Sequence, residues 1–285
     1  METFPFSKET LETVQRYTFM TDRFLNVAFT PKVAEHILSV IMDKNLTVER
    51  IQHQQPAESL YSRSVRFDVF AKDSDGKYYN IEVQNANEGA TPRRARYNCE
   101  RADTLLFPKG KKFDSLPELY VIFITLNDII GDGLPIYHIE RRVEETGKLF
   151  GDGEHVIYVN GSCKDPNTKL GQLVLDMQQS DATKIKSKVM ADAMIDCKKG
   201  EALESMCKEI EEIRAKSLAE GIEQGIEKGV EKGRAEGRID ALVSSATNIA
   251  KAMNLSVEKA IECLGVDADI RDAVIKAATE KLNKN

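Results

Sequence analysis

Two acids and an amide stand at a spacing that could support metal-assisted chemistry. Asp68 lies in the stretch "SVRFDVF", and Glu82 and Gln84 lie in "NIEVQ". Side chains alternate across a strand, so Glu82 and Gln84 share one face. Two carboxylates that converge at a strand pair form an oxygen-rich site of the kind that Mg²⁺ or Mn²⁺ prefers. Such an ion can polarise a phosphate and lower the pKa of a bound water, which indicates phosphodiester chemistry.

The segment that carries these residues is predicted to fold as a β-hairpin. Two alternating runs, "SVRFDVFAKD" and "KYYNIEVQ", are joined by a turn that contains Asp75-Gly76. In such a hairpin Asp68 can meet Glu82 and Gln84 on one polar face if the register permits. A solvated strand face would carry a single acid equally well, so the interpretation depends on the two acids occurring together.

A basic stretch follows the hairpin directly. Residues 91–112 hold seven basic and two acidic side chains, a net charge of +5 in a chain whose total is −6. A helix is predicted from about Pro92 to Phe107, and on it Arg93 and Arg96 face roughly the same way. These two arginines could hold one phosphate, with Tyr97 packing or hydrogen-bonding beside them. Salt bridges to nearby acids are the alternative.

The elements around the hairpin predict an α/β fold. Thr30 can cap the N-terminus of a helix, and Pro31 suits the first turn of that helix. The run "ELYVIFITL" is too continuously apolar for an edge strand, which indicates a strand buried on both faces. The predicted elements are a helix at 30–44, a strand at 46–55, the hairpin at 64–84, the helix at 92–107, strands at 118–126 and 155–160, and helices from 169 onward.

The C-terminal third differs in kind, because glycine recurs every four residues. The glycines are Gly221, Gly225, Gly229, Gly233 and Gly237. In a helix each costs roughly 0.8 to 1 kcal/mol against alanine, about 4 to 5 kcal/mol together. Two interpretations of 215–240 remain open: a helix supported by self-association, and a solvated linker. We therefore expect a catalytic domain at 1–205, a glycine-spaced helix or linker at 206–240, and a small helical tail at 241–285.

The composition excludes several classes of protein. The five cysteines are scattered without CxxC spacing, and the four histidines show no HxxxH pairing, which argues against a disulfide framework or a zinc ribbon. No apolar run approaches the roughly 18 to 20 residues of a membrane span. The N-terminal stretch lacks the features of a secretory signal. We therefore expect a cytoplasmic protein without a membrane partner.

The pattern D-x13-E-x-Q with "RRARY" downstream resembles the PD-(D/E)XK nuclease superfamily. More narrowly, it is similar to the recombination-promoting nuclease and transposase family of bacteria, in which glutamine takes the place of the usual lysine. The resemblance covers about residues 15 to 165, and the glycine-spaced tail is also common among such proteins. It implies a restriction-endonuclease-like mixed sheet flanked by helices, with an α-β-β-β-α-β core and an α-helical C-terminal extension.

The resemblance also implies an activity and a set of site residues. Asp68, Glu82 and the Val83 carbonyl would hold Mg²⁺ or Mn²⁺, and Gln84 would occupy the lysine position. Glu35 would be an extra acid at the metal site or a plain surface glutamate. The implied activity is Mg²⁺-dependent DNA endonuclease cleavage, in recombination, mobile DNA or defence.

The DNA contacts and one alternative function follow from the same resemblance. Arg93, Arg96 and Tyr97 would bind DNA phosphates. An amide at position 84 can orient a water but cannot act as a base near neutral pH. The alternative is therefore a weakly active or inactive nuclease fold that binds DNA or acts as a scaffold and oligomerises through its C-terminal helix.

Overall fold

A computed structural model describes residues 5–57, 65–107 and 110–283. The chain divides into two compact units, Met1–Glu211 and Glu212–Asn285. None of the helices in the described ranges combines the length and the apolar character needed to cross a membrane.

The first unit contains a six-stranded sheet and the helices that cover it. The strands are β1 (Val48–Ala57), β2 (Val65–Asp73), β3 (Tyr78–Gln84), β4 (Leu119–Thr125), β5 (Ile136–Ile139) and β6 (Glu154–Asn160). The helices are α1 (Lys8–Gln15), α2 (Asp22–Ala28), α3 (Pro31–Ile41), α4 (Pro92–Leu106), α5 (Lys169–Met177) and α6 (Lys188–Cys197), followed by the start of α7 (Gly200–Met253).

The sheet is mixed, with the strand order β1-β2-β3-β4-β6-β5. β1, β2 and β3 are antiparallel neighbours, whereas β3, β4 and β6 run parallel. Helix α4 provides the crossover between the parallel strands β3 and β4. The predicted α-β-β-β-α-β order and the mixed sheet flanked by helices are therefore confirmed.

Two apolar layers, one on each face of the sheet, explain why β4 is continuously apolar. Ile122 and Ile124 face a layer that includes residues of α2, α3, α5 and α6. Val121 and Phe123 face the opposite layer, which α4 covers. Since side chains alternate along a strand, a strand with helices on both faces has no side chain left for solvent.

Helix α4 begins where the sequence predicts and is oriented by its small residues. The Thr91 hydroxyl accepts a hydrogen bond from the Arg94 N–H, and Pro92 occupies the first turn. Helix α4 packs against the sheet through the small buried side chains Ala95, Cys99 and Ala102. This spacing of three and four residues keeps one face on the sheet and leaves the other exposed.

Strand β5 is absent from the sequence-based prediction, which was wrong on this point. It has only four residues, lies at the sheet edge and pairs antiparallel with β6 alone. Only Tyr137 of the four is buried. So short an edge strand has no alternating pattern long enough to detect.

The end of the first unit lies inside a 54-residue helix. Helix α7 crosses both predicted domain boundaries, at 205/206 and 240/241. Its first three turns carry buried side chains that complete the core of the first unit, and this is why that unit extends to Glu211. These side chains are Leu203, Met206, Cys207 and Ile210.

The second unit consists of the rest of α7 with α8 (Val257–Leu264) and α9 (Ala268–Asn283). Val243 and Ala246 of α7 pack with Ile261 of α8 and Val274 of α9 in a small core. The predicted segment 206–240 is helical throughout.

Candidate functional site

The β2–β3 hairpin brings Asp68 and Glu82 together. The antiparallel ladder pairs Val69 with Ile81, so the next position in register puts Asp68 opposite Glu82. The Asp68 N–H donates to Glu82 Oε1 at 3.4 Å, and Asp68 Oδ2 accepts from the Val83 N–H at 3.1 Å. The expected meeting of the two acids is therefore observed, and the Asp68 side chain takes the acceptor position beside Val83.

The backbone of Val83 faces the same pair of acids. The neighbouring Gln84 carbonyl accepts from the Leu126 N–H beyond β4, at 3.1 Å. Peptide groups of successive strand residues point to opposite edges, so those of Val83 point towards β2. Because its N–H donates to Asp68, its carbonyl oxygen lies on the same edge. The site thus presents two carboxylates and one carbonyl.

Burial raises the pKa values of both acids. Glu82 is fully buried, and desolvation, reinforced by the charge of Asp68, raises its pKa to about 8. Burial also raises the pKa of Asp68 to about 6, against the hydrogen bond from Val83. Each unit of pKa shift represents about 1.4 kcal/mol of difference between the two protonation states. A carboxyl pair with such values retains protons near neutral pH that a bound cation would displace.

The arginine that contacts the acid pair is Arg94, which the sequence analysis did not choose. Its Nη2 lies 3.3 Å from Glu82 Oε2, and its side chain is 38% exposed. Its charge lowers the pKa of both acids against the larger effect of burial. Three arginines within four positions look alike in the sequence, and only the direction in which α4 leaves the sheet distinguishes them.

The predicted phosphate-binding residues lie on the outer side of α4. Arg93 and Arg96 are exposed, and neither makes a hydrogen bond or ion pair with any residue in the described ranges. Within residues 5–57, 65–107 and 110–283, these two side chains therefore do not form the salt bridges considered as an alternative. Tyr97 is half-buried and has its own interactions.

Gln84 lies on the same strand face as Glu82, but its amide packs against the loop that follows. A Cβ placed on Gly89 would come within 1.9 Å of Gln84 Oε1, so glycine is what permits this position. The side chain is half-buried and forms no hydrogen bond with the described residues. Its amide thus keeps its full capacity to bind a water or a phosphate oxygen.

Glu35 has a different local partner. Its Oε2 accepts a hydrogen bond from the Val48 N–H at 3.1 Å, so the side chain links α3 to the start of β1. The structure does not bring it into contact with Asp68 or Glu82. Backbone capping of this kind accounts for the residue without a metal.

A third acid, missed by the sequence analysis, approaches the pair instead. Asp22, in the first turn of α2, lies close enough for its charge to raise the pKa of Asp68. The Asn85 side chain donates to the Met20 carbonyl at 2.7 Å and ties this segment to the end of β3. Acids are common in the first turn of a helix because they interact favourably with the helix dipole. The sequence therefore does not distinguish a site residue at position 22 from an ordinary helix-start acid.

Two buried asparagines lie near the acid pair. Asn80, two residues before Glu82, and Asn98, one turn after Arg94, are both fully buried. Neither amide has a hydrogen-bond partner within the described part of the chain. Asn80 is nevertheless close enough to lower the pKa of Glu82, although its geometry falls short of a hydrogen bond. Unsatisfied amides are costly, and Asn80 makes the surroundings of Glu82 polar.

The donor set fits a hard divalent cation. Carboxylate and carbonyl oxygens are the ligands that Mg²⁺ and Mn²⁺ prefer. No three His, Cys, Asp or Glu side chains come together as a metal site in residues 5–57, 65–107 and 110–283. Asp68, Glu82 and the Val83 carbonyl would thus supply part of the coordination shell. Mg²⁺ ordinarily keeps several waters and is held by one or two carboxylates with substrate phosphates, which agrees with this small set.

Comparison with protein families identifies the same region. A model of the PD-(D/E)XK nuclease family transposases matches residues 24–160. This segment of the chain is therefore similar to that family. The predicted resemblance is therefore confirmed, and the match contains the whole hairpin with its acids. Asp22 lies two positions before the matched segment. No curated protein and no solved structure matches the chain.

The raised pKa values predict a pH-dependent stability of the metal-free protein. The ordinary values are 3.8 for Asp68 and 4.5 for Glu82, and the folded values are about 6 and about 8. Between about pH 4 and 8 the folded state binds more protons than the unfolded state, so the free energy of unfolding falls as the pH rises. In the wild type, the free energy of unfolding should decrease by an amount on the order of a few kcal/mol between pH 5 and 9. We expect Glu82→Gln to lose most of this decrease. Urea unfolding in EDTA across this pH range measures it.

Asp68→Asn is the matched variant for that experiment. It removes the like charge that helps to raise the pKa of Glu82, so the upper end of the window should move to lower pH. A wild-type pH slope in both variants would contradict the burial of the acid pair.

The contact between Gln84 and Gly89 gives a second prediction. Gly89→Ala should displace the Gln84 amide, because the new Cβ would overlap Oε1. The backbone angle at position 89 is accessible to alanine, and such substitutions change stability by less than about 1 kcal/mol. We expect a nearly unchanged melting temperature with a large shift of the Gln84 side-chain amide signals in ¹⁵N NMR spectra. Unchanged signals would show that the amide does not occupy this position.

Proposed function

We propose that the protein is a Mg²⁺- or Mn²⁺-dependent DNA endonuclease that hydrolyses phosphodiester bonds. The observation that carries this proposal is the pairing of Asp68 with the fully buried Glu82 across the hairpin. The match of residues 24–160 to a nuclease family model supports the reaction class. A role in recombination, mobile DNA or defence belongs to the same proposal.

The residues of the pair would act as ligands. Asp68, Glu82 and the Val83 carbonyl would hold the ion, which when bound supplies Lewis acidity and lowers the pKa of a coordinated water. Gln84 would orient the attacking water through its amide, since an amide cannot remove a proton near neutral pH. Asn80, beneath Glu82, would help to keep that carboxylate in place.

DNA would approach along the start of α4. Arg93 and Arg96 are exposed and without ion-pair partners in the described part of the chain, so their charges are available to phosphates. Tyr97 lies four residues after Arg93, so it shares that side of the helix, and it would pack beside a phosphate or sugar. The local charge of +5 at 91–112 supports this face on a chain that is otherwise acidic.

Removal of either acid tests the proposed activity. Asp68→Ala and Glu82→Ala should each reduce Mg²⁺-dependent plasmid nicking by about 100-fold or more, because metal polarisation contributes several kcal/mol to such a step. The matched control is Asp75→Asn, an exposed acid in the turn at the other end of the same hairpin. It should cut like the wild type. Wild-type cutting by both alanine variants would reject the assigned site.

A second candidate function is favoured by the position of Gln84. Its amide replaces a cationic lysine and packs against Gly89, an arrangement that supports DNA binding without efficient cleavage. Measurable affinity for duplex DNA, together with no cleavage across Mg²⁺ and Mn²⁺ concentrations and pH, would favour this binding or scaffolding role over the endonuclease.

We also propose that the protein self-associates through helix 215–240. Leu218, Ile222, Ile226 and Val230 recur every four residues and are 48–65% exposed. The five glycines form an adjacent row, and nothing lies within 4 Å of a Cβ placed on any of them. Small residues allow close backbone approach, and β-branched neighbours are already held in one main rotamer by the helix, so they lose little further freedom on association.

The charges beside this row support a parallel pair. Glutamates at 223, 227 and 231 follow the apolar row, whereas Lys228 and Lys232 precede glycines on the other side. In a parallel two-fold pair, opposite flanks of the two helices face each other, so lysine meets glutamate. An antiparallel pair would place like charges together.

Solution mass tests this interface. Ile226→Glu should weaken self-association by about 10-fold or more, since it replaces buried apolar area with a charge. Ala219→Glu, exposed and away from the row, is the control and should associate like the wild type. Analytical ultracentrifugation of the 31.9 kDa chain distinguishes monomer from dimer. A wild-type chain that is monomeric at high concentration would favour the linker interpretation.

A further inference from the structure

Arg94 occupies the charge-compensating position beside the buried acid. Its guanidinium donates to Glu82 Oε2, while the Asp68 N–H donates to the other oxygen of that carboxylate, Oε1. Among the residues that the structure describes, Arg94 is the cation whose charge acts on both Asp68 and Glu82. Gln84, at the position of the superfamily's usual lysine, carries no charge. Without a metal, the positive charge at this site therefore comes from a neighbouring helix.

A divalent cation and this guanidinium would compete for the same oxygen. A buried carboxylate is costly unless a cation is close to it, and either partner can meet that requirement. Both cations near one oxygen would repel each other strongly, because the surrounding protein screens charges less than water does. Occupation of the pair by a metal therefore favours departure of Arg94 from Glu82.

The Arg94 side chain can extend into solvent when it leaves Glu82. Its side chain is 38% exposed, and its backbone lies in the first turn of α4, between the exposed Arg93 and Arg96. A released guanidinium would extend into solvent at the face proposed for DNA phosphates. Arginine binds phosphate in a bidentate manner, so a phosphate is a suitable second partner.

We propose that Arg94 is an exchange residue, which pairs with Glu82 in the metal-free protein and transfers to a DNA phosphate when a divalent ion binds. The inference rests on the proposed metal and DNA sites. Its consequence is thermodynamic: metal binding strengthens DNA binding through Arg94, and DNA strengthens metal binding by the same factor. Arg94 is thus a positioning residue that couples two ligands, in addition to any effect on the chemical step.

Binding measurements with Ca²⁺ isolate this coupling from cleavage. Duplex DNA affinity would be measured by fluorescence anisotropy with and without Ca²⁺, and Ca²⁺ affinity by calorimetry without DNA, all at one pH. For Arg94→Gln we expect Ca²⁺ to bind about 5-fold or more tightly than to the wild type, because its competitor is gone. The enhancement of DNA affinity by Ca²⁺ should fall by about the same factor.

The sign of the first effect distinguishes exchange from a structural role. If Arg94 only supported the site, its removal would weaken Ca²⁺ binding. A divalent ion is repelled by Arg94 about twice as strongly as a proton is, so loss of the arginine favours the ion even where protons compete. Arg93→Gln is the matched control: it should weaken DNA binding with and without Ca²⁺ and keep the wild-type enhancement.

A measurement on the wild type keeps the inference testable if Arg94→Gln does not fold. The ¹⁵N signals of the Arg94 guanidinium should lose protection from hydrogen exchange when Ca²⁺ is added and regain it when DNA follows. Unchanged signals, or weaker Ca²⁺ binding by a folded Arg94→Gln, would overturn the exchange. If Glu82→Ala binds Ca²⁺ like the wild type, the metal site itself is wrong, and the proposed function fails separately.

Discussion

The antiparallel register of β2 against β3 is the constraint on which the candidate site depends. Pairing Val69 with Ile81 sets Asp68 opposite Glu82, and a shift of one residue would turn one acid to the other face of the sheet. The register is held by the turn, where Gly76 has a φ of 81° and Asp73 Oδ1 accepts from the Asp75 and Lys77 N–H groups. It is held as well by the buried apolar residues on the other face, Val69, Ile81 and Val83 among them.

This register brings two carboxylates together, and other parts of the fold reduce the cost of placing their charges side by side. Two like-charged groups meet in a place where one of them, Glu82, is fully buried. The hydrogen bond from Val83 and the charge of Arg94 favour the ionised forms, while burial and mutual repulsion oppose them. Such balance is typical of functional sites, since a purely structural strand pair would not retain it.

Helix α4 links this pair to the exposed basic face. Its small residues pack closely on the sheet, and the cap at Thr91 begins the helix immediately before the arginines. One arginine therefore turns inward to Glu82 while its neighbours remain in solvent. A helix carries side chains at 100° intervals, so one short basic run serves two environments.

The amino-acid sequence by itself determined the order of the main elements, the hairpin with its turn, the buried character of β4 and the family resemblance. These depend on local periodicity and turn chemistry, which each segment carries independently of its neighbours. Only the tertiary structure decided that Arg94 contacts the acids, that Asp22 approaches Asp68, that Glu35 caps β1 and that Gln84 packs on Gly89. The tertiary structure likewise decided the edge strand β5 and the extent of the first unit into α7. Each results from contacts between segments distant along the chain, where several residues of one type are locally equivalent and packing alone selects among them.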